Sequence, residues 1–366
     1  MFQRSAWGWL SSYETFCFPA GEEKEMPKMN RREFLRYTGA AVACLTMPRL
    51  TMPDLPDEHP TPEAPPASLG RIATWWRQAV RSEPSPKAEW VVSKGRDEII
   101  PLYSVVVGVP PWPNNPVWYQ TDEGFIHSGY VQLVENTPSG EIVAEVAEPG
   151  FWSQVCVPIA EARWRPASRY VAYKLYYGTI YRVVGAVADD DGNWWYQLKE
   201  GITYSPGPYV PAWAVRRIPP EEMAPISPGH PDKWMEISID AQTLTCFNGE
   251  TAVFHTGIAS GLSGTATPRG EHRVLYKRHT SRMTGGSGDG YYDLPGVAFP
   301  VYFTWSTVAI HGTYWHNDFV RRHSHGCVNV TNQAAQWIFR WAEPVAPYGE
   351  CKVSAAPGEG TRIVVV

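Results

Sequence analysis

The chain has 366 residues, too many for one ordinary core, and its 43% apolar against 19% charged residues exclude a disordered polymer. A net charge of -5 gives no global basic field, which excludes nucleic acid as the expected partner. Plentiful Gly (31), Pro (34), Trp (17) and Tyr (19) suit short strands and turns better than long helices.

In chain order the first feature is an address. Asn30-Arg31-Arg32-Glu33-Phe34-Leu35-Arg36 resembles the twin-arginine export signal of bacteria. The apolar run Tyr37 to Met47 behind it is too short to span a membrane but fits a signal core. Met29 directly precedes the signal, so residues 1–28 are expected to be an over-extended start. Ala41-Val42-Ala43 fits a cleavage site, with a lipidated Cys44 or an uncleaved anchor as alternatives. The expected location is extracytoplasmic, at the wall or in the periplasm. Residues 1–50 form this region. Residues 51–68 follow, with six prolines, four acids and no Lys or Arg, and read as a stiff linker. A short amphipathic piece, Ile72 to Arg81, comes next.

A weak repeat succeeds the linker. Trp118-Tyr119-Gln120-Thr121-Asp122-Glu123-Gly124 recurs as Trp195-Tyr196-Gln197-Leu198-Lys199-Glu200-Gly201, each copy followed by a Tyr-Val step and preceded by a β-rich run ending in Gly. Asp191-Gly192 is a hairpin turn signal. Two small barrels of short strands, over 90–150 and 165–220, account for the pattern. They resemble bacterial SH3-like modules, either as wall-binding units or as scaffold. From Trp234 the pattern alternates as strands, at 235–239, 243–247, 252–258, 272–277, 299–304, 307–310 and 362–366. One helix is predicted: Ala334, Trp337, Ile338 and Trp341 make one apolar stripe, with Thr331 as N-cap and Pro344 as stop.

The chemistry concentrates at 311–329, which holds four of the ten histidines and one cysteine. Cys327 lies a few residues before the predicted helix, where the positive dipole end favours a thiolate, and a nearby imidazole can pair with the thiol. Gly326 leaves room for an approaching carbonyl, and the N–H groups of His325, Gly326 and Cys327 are a candidate oxyanion hole.

This arrangement resembles the YkuD-type L,D-transpeptidase catalytic domain. The resemblance rests on His311 followed by Ser324-His325-Gly326-Cys327-Val328-Asn329. Upstream it includes Gly257-Ile258-Ala259-Ser260-Gly261 and Thr267-Pro268-Arg269-Gly270-Glu271, and downstream Gly360-Thr361 with Val364-Val365-Val366. It covers about 230–366. It implies a mainly β sandwich or barrel with one clear helix, preceded by the two SH3-like barrels. It implies Cys327 as nucleophile, His311 as base oriented by the Gly312 carbonyl, and His325 and Gly326 as backbone contributors. Ser324 and Asn329 are expected to brace the loop, and Tyr314, Trp315, Tyr291 and Tyr292 to wall the substrate groove. His316 and His323 are expected at the surface. No cofactor or metal is expected. The partners implied are peptidoglycan stem peptides, with a wall-anchored protein as a further acceptor. Water as acceptor would make the enzyme an L,D-carboxypeptidase.

Rival readings remain. A zinc site from His311, His316, His323, His325 and Cys327 lacks every common ligand spacing. A sortase lacks the Ser-His-Gly-Cys string, and a papain-like peptidase has its cysteine before its histidine. A decayed, wall-binding adaptor is opposed by the intact His311, Gly326 and Cys327. A Cys246–Cys351 disulfide is left open by the sequence. Residues from about 230 onward are expected to fold alone.

Overall fold

In the computed structural model, which describes residues 68–199, 207–288 and 291–366, strands dominate. The signal region and nearly all of the linker lie outside the described residues. Among the described residues there is one α-helix, Asn332–Trp341, and no helix long and apolar enough to cross a membrane.

The first β unit starts at Ser68 rather than near 90. Ser68–Ile72 pairs antiparallel with Ile99–Leu102 and with Val131–Val134. A second sheet orders Trp90–Lys94, Gln78–Arg81, Gly124–His127, Val117–Thr121 and Ser104–Val107. The amphipathic piece 72–81 is thus no helix: its ends lie in strands Ser68–Ile72 and Gln78–Arg81, with 73–77 a bend between them, and Ile72 and Val80 are both fully buried with Ile100, Leu102, Tyr119, Ile126 and Val131. The second unit is one seven-stranded antiparallel sheet running from Phe151–Val155 to Val215–Arg217. Register shifts at Ala162/Arg163 and Val183/Gly185 bend it around Val155, Leu175, Tyr181, Tyr196 and Leu198. The Asp191-Gly192 turn joins Ile180–Ala188 to Trp194–Lys199, as the sequence predicts.

From Lys233 two five-stranded sheets enclose the largest core. One orders Thr251–Gly257, Thr243–Asn248, Lys233–Ser238, Arg362–Val365 and Gly270–Arg273. The other orders Val328–Val330, Ala309–Gly312, Val301–Tyr302, Tyr276–Arg278 and Lys352–Ser354. The helix buries Ala334, Ala335, Ile338, Phe339 and Trp341, and Trp337 stacks on Phe254 at 4.3 Å. The Thr331 hydroxyl accepts from Ala334 N–H, so the predicted N-cap is present. The Cys246–Cys351 bridge is absent: Cys246 is buried inside its strand and both thiols are free.

The described residues fall in one compact unit, and the domain from about 230 onward shares its core with the second β unit. Trp152 and Ile180 of the second β unit belong to the same apolar cluster as Ile237, Phe299 and Phe339. Trp152 Nε1 donates to the Tyr348 carbonyl at 2.7 Å, and its ring stacks on His279 at 4.4 Å.

Candidate functional site

Two short parallel strands carry the site. Ile310 pairs with Val328, and His311 with Asn329. Cys327 enters just before the paired segment, and its thiol lies on the Ala309 backbone. Cys327 therefore lies beside the strand that carries His311, two residues along from Ala309. Nδ1 of His311 donates to the Gly312 carbonyl at 3.0 Å. That bond leaves the Nε2 lone pair as the basic position. Among the described residues no hydrogen bond joins the His311 ring to the thiol.

The cysteine loop is pinned from two sides. The Ser324 hydroxyl donates to the Cys327 carbonyl and accepts from Gly326 N–H at 3.1 Å. The Thr267 hydroxyl donates to the Gly326 carbonyl at 2.8 Å and accepts from Gly261 N–H at 3.0 Å. The two upstream motifs, 257–261 and 267–271, are therefore the clamp on the nucleophile loop. With Gly326 N–H engaged by Ser324, His325 and Cys327 remain as oxyanion donors. Gly326 itself sits at φ +121, which L side chains rarely adopt, so conformation rather than space requires glycine there. At Gly312 the reason is packing: a Cβ would lie 2.2 Å from Asn332 Oδ1.

The electrostatics differ from the sequence expectation. Three residues of strand separate Cys327 from the helix, and a helix dipole fades within its first turn. Burial instead raises the thiol pKa above its ordinary value. Burial lowers His311 to about 4, against a smaller opposing effect from Gly312. Both groups are neutral at neutral pH, so the free site holds a thiol and an imidazole rather than an ion pair.

The aromatic residues divide. Trp315 is half-buried with its ring 5.7 Å from that of His311. Tyr292 lies 5.3 Å from the exposed His325 ring and within the electrostatic reach of Cys327. Tyr291 is exposed. Tyr314 is buried: it stacks on Tyr176 at 5.2 Å and donates to the Pro295 carbonyl at 3.0 Å. His316 is not a surface residue either. Its Nδ1 accepts from Asp318 N–H at 3.1 Å, and the Asn329 carboxamide lies 2.9 Å from Nε2. A neutral ring whose Nδ1 accepts carries its proton on Nε2, so Asn329 meets it with its oxygen. His323 is exposed, its ring 4.3 Å from that of His316. Among the described residues no three or more His, Cys, Asp or Glu side chains form a group able to hold a metal ion.

Sequence reasoning missed the grip of the first β unit on the segment between His311 and Cys327. Buried Arg71 donates to the Tyr314 carbonyl, to Gln132 Oε1 at 2.9 Å and to Asp97 Oδ1 at 2.9 Å. Trp112 Nε1 donates to Asp318 Oδ1 at 2.9 Å, and Asn317 N–H to the Gly129 carbonyl. Arg71–Tyr314, Trp112–Asp318 and Gly129–Asn317 are each more than 180 residues apart in sequence and carry no local signal.

Residues 232–365 match the YkuD family model, the L,D-transpeptidase catalytic domain. L,D-transpeptidase 1 of Mycobacterium tuberculosis (strain ATCC 25618 / H37Rv) is 36% identical over 113 residues, 28% of this chain and 43% of that protein. The chain thus spans less than half the length of the curated relatives it matches. Among solved structures, the L,D-transpeptidase from Mycobacterium smegmatis is 19% identical with a TM-score of 0.31, over 47% of this chain and 90% of that one. The catalytic domain of the E. faecium L,D-transpeptidase is 23% identical with a TM-score of 0.30, over 37% and 98%. Residues 232–365 are thus similar to the L,D-transpeptidase catalytic domain.

Proposed function

We propose that this protein is an exported peptidoglycan L,D-transpeptidase that works through a Cys327 thioester. The observation that carries the reading is the pairing of the His311 strand with the strand entered by Ser324-His325-Gly326-Cys327, inside the matched domain. Cys327 attacks the carbonyl after the third residue of a tetrapeptide stem. Its proton passes to His311, the S–C bond forms, and the C–N bond breaks as His311 protonates the departing D-Ala. An acceptor amine then attacks the thioester, His311 takes its proton, and the thiol is regenerated. His325 and Cys327 N–H groups hold the oxyanion. Neutral His311 suits this role, because a base must be unprotonated to act. A stem amine is the acceptor favoured here. Water would give an L,D-carboxypeptidase, and an amine on a protein would give wall anchoring.

Arg31 and Arg32 address the chain to the twin-arginine route, and the two small β units serve as SH3-like wall-facing modules. Replacing both arginines by lysine should leave the protein in the cytoplasm, read by fractionation; export by the same route would refute the address. For the activity, purified protein incubated with peptidoglycan should yield cross-links between third residues, read by mass spectrometry. A carbapenem should add once, at Cys327, and the Cys327→Ser protein should lose the adduct. Stem trimming without cross-links would favour the carboxypeptidase, and an adduct on Cys156, Cys246 or Cys351 would contradict the assigned nucleophile.

A further inference from the structure

A cavity of about 140 Å³ lies where both N-terminal β units meet the catalytic-type domain. An engineered protein cavity of about 150 Å³ holds one benzene ring, so this space suits a single side-chain-sized group. Four cationic side chains line it, Arg71, Arg96, Lys174 and Arg282, against one carboxylate, Asp293, while Asp97 reaches two of the cations from outside the lining. This is a local cationic excess in a chain of net charge -5. Asp97 holds Arg71 at 2.9 Å and Lys174 at 2.8 Å, and Asp293 holds Arg282 at 2.6 Å. Arg96 is different. Its guanidinium stacks over Trp75 at 3.7 Å and reaches the Tyr176 hydroxyl at 3.4 Å; Asp97, already bonded to Arg71 and Lys174, feels its charge, but no carboxylate lies within ion-pair distance of it among the described residues.

Trp315 is the wall shared with the catalytic site, lining the cavity with its ring 5.7 Å from His311. The second half-reaction gives the acceptor's proton to His311, so the acceptor must reach the thioester on the His311 side. We propose that the cavity is an acceptor subsite, taking a carboxylate of the incoming stem peptide against Arg96 while its amine is presented past Trp315. This rests on the transpeptidase reading above. The stacked guanidinium is held in place before binding, so little freedom is lost when a carboxylate docks. The saturated Arg71 network fixes the cavity floor through the Tyr314 carbonyl.

The test uses the full chain and the variants Arg96→Glu and Arg96→Lys, since Arg96 is exposed and outside the cores. Thioester enzyme is formed first and followed by intact mass. Transfer to a stem acceptor is then measured in single turnover against acceptor concentration. The half-saturating concentration should rise roughly tenfold or more in Arg96→Glu, and much less in Arg96→Lys. An acceptor with amidated carboxylates should bind the unaltered protein about as weakly as the acid binds Arg96→Glu. An unchanged acceptor dependence in Arg96→Glu, or indifference to amidation, would overturn the proposal. Calorimetric binding of the carboxylated acceptor to Cys327→Ala, with and without Arg96→Glu, judges the cavity without turnover. If no stem acylates Cys327 in the unaltered protein, the transpeptidase reading fails. Calorimetric binding lost in Arg96→Glu would then still support a carboxylate site, and binding retained would sink it.

Discussion

At the scale of single residues, the free site is set by burial. A raised thiol and an imidazole lowered to about 4 leave Cys327 and His311 both uncharged at pH 7. The thiolate fraction of a group with a raised pKa grows only at alkaline pH. Alkylation of Cys327 in the free protein should therefore be slow at pH 7 and climb above the ordinary thiol range of about 8.5. His311→Ala should hardly alter that alkylation profile, yet should slow transpeptidation ~10²–10⁴-fold. Fast alkylation at pH 7 that collapses in His311→Ala would reveal an ion pair instead. Gly326→Ala forces a side chain onto φ +121, which costs about 1–3 kcal/mol and shifts the loop that Ser324 and Thr267 hold. Its melting temperature should fall together with Cys327 acylation. An unchanged melting temperature would show that the loop tolerates a Cβ.

At the scale of elements, the helix is fastened at its C-terminal end by two buried lysines. Lys277 Nζ donates to the Phe339 carbonyl at 2.7 Å and the Ala342 carbonyl at 2.6 Å, and Lys233 Nζ donates to the Trp341 carbonyl at 2.8 Å. These bonds satisfy carbonyls that a helix end leaves open. Burial lowers Lys277 to about 7, with Glu343 opposing. Between pH 7 and the ordinary lysine value of about 10.4 the unfolded chain binds more protons than the folded one, so this group adds stability as pH rises. The difference in stability between the unaltered protein and Lys277→Met should widen from pH 7 to 9, by at most about 1.4 kcal/mol per pH unit. Denaturant titrations at the two pH values check this. A constant difference would mean that Lys277 keeps one charge state throughout.

At the scale of the whole molecule, the first two β units and the catalytic-type domain share structure. Trp152 and Ile180 fill the large core, and Arg71 holds the Tyr314 carbonyl from the first unit. A fragment starting at Pro228 loses both, and removing a core Trp alone costs about 3–5 kcal/mol. The fragment should be insoluble or molten by near-ultraviolet circular dichroism; a cooperative, active fragment would show that the shared core is dispensable. Acid should also loosen the whole assembly. Burial lowers His279 to about 3 and His311 to about 4, and lowers His127 and His316 as well. A lowered histidine is protonated earlier in the unfolded chain, so its contribution is complete above pH 6.5 and falls as pH drops toward 4. His279→Phe keeps an aromatic ring against Trp152 and removes the titrating nitrogens, so it should flatten the acid limb measured by thermal melts between pH 4 and 7. An acid limb unchanged in His279→Phe would place the sensitivity in the other histidines.

The sequence by itself determined the local parts. Strand alternation, the Asp191-Gly192 turn, the Thr331 cap and the Ser324 to Asn329 string each depend on neighbours a few residues away, which periodicity and spacing report. The strand beginning at Ser68 escaped because Ile72 and Val80 read as amphipathic until Ser68–Ile72 is paired with Ile99–Leu102 and Val131–Val134. The charge states of Cys327 and His311 also escaped, since desolvation depends on what the rest of the chain packs over them. The same holds for buried Tyr314 and His316 and for the grip of Arg71 and Trp112 on the loop before Cys327. Those contacts join residues more than 180 positions apart, and only the tertiary structure brings them together, because burial and long-range hydrogen bonds are properties of the packed chain and not of any window along it.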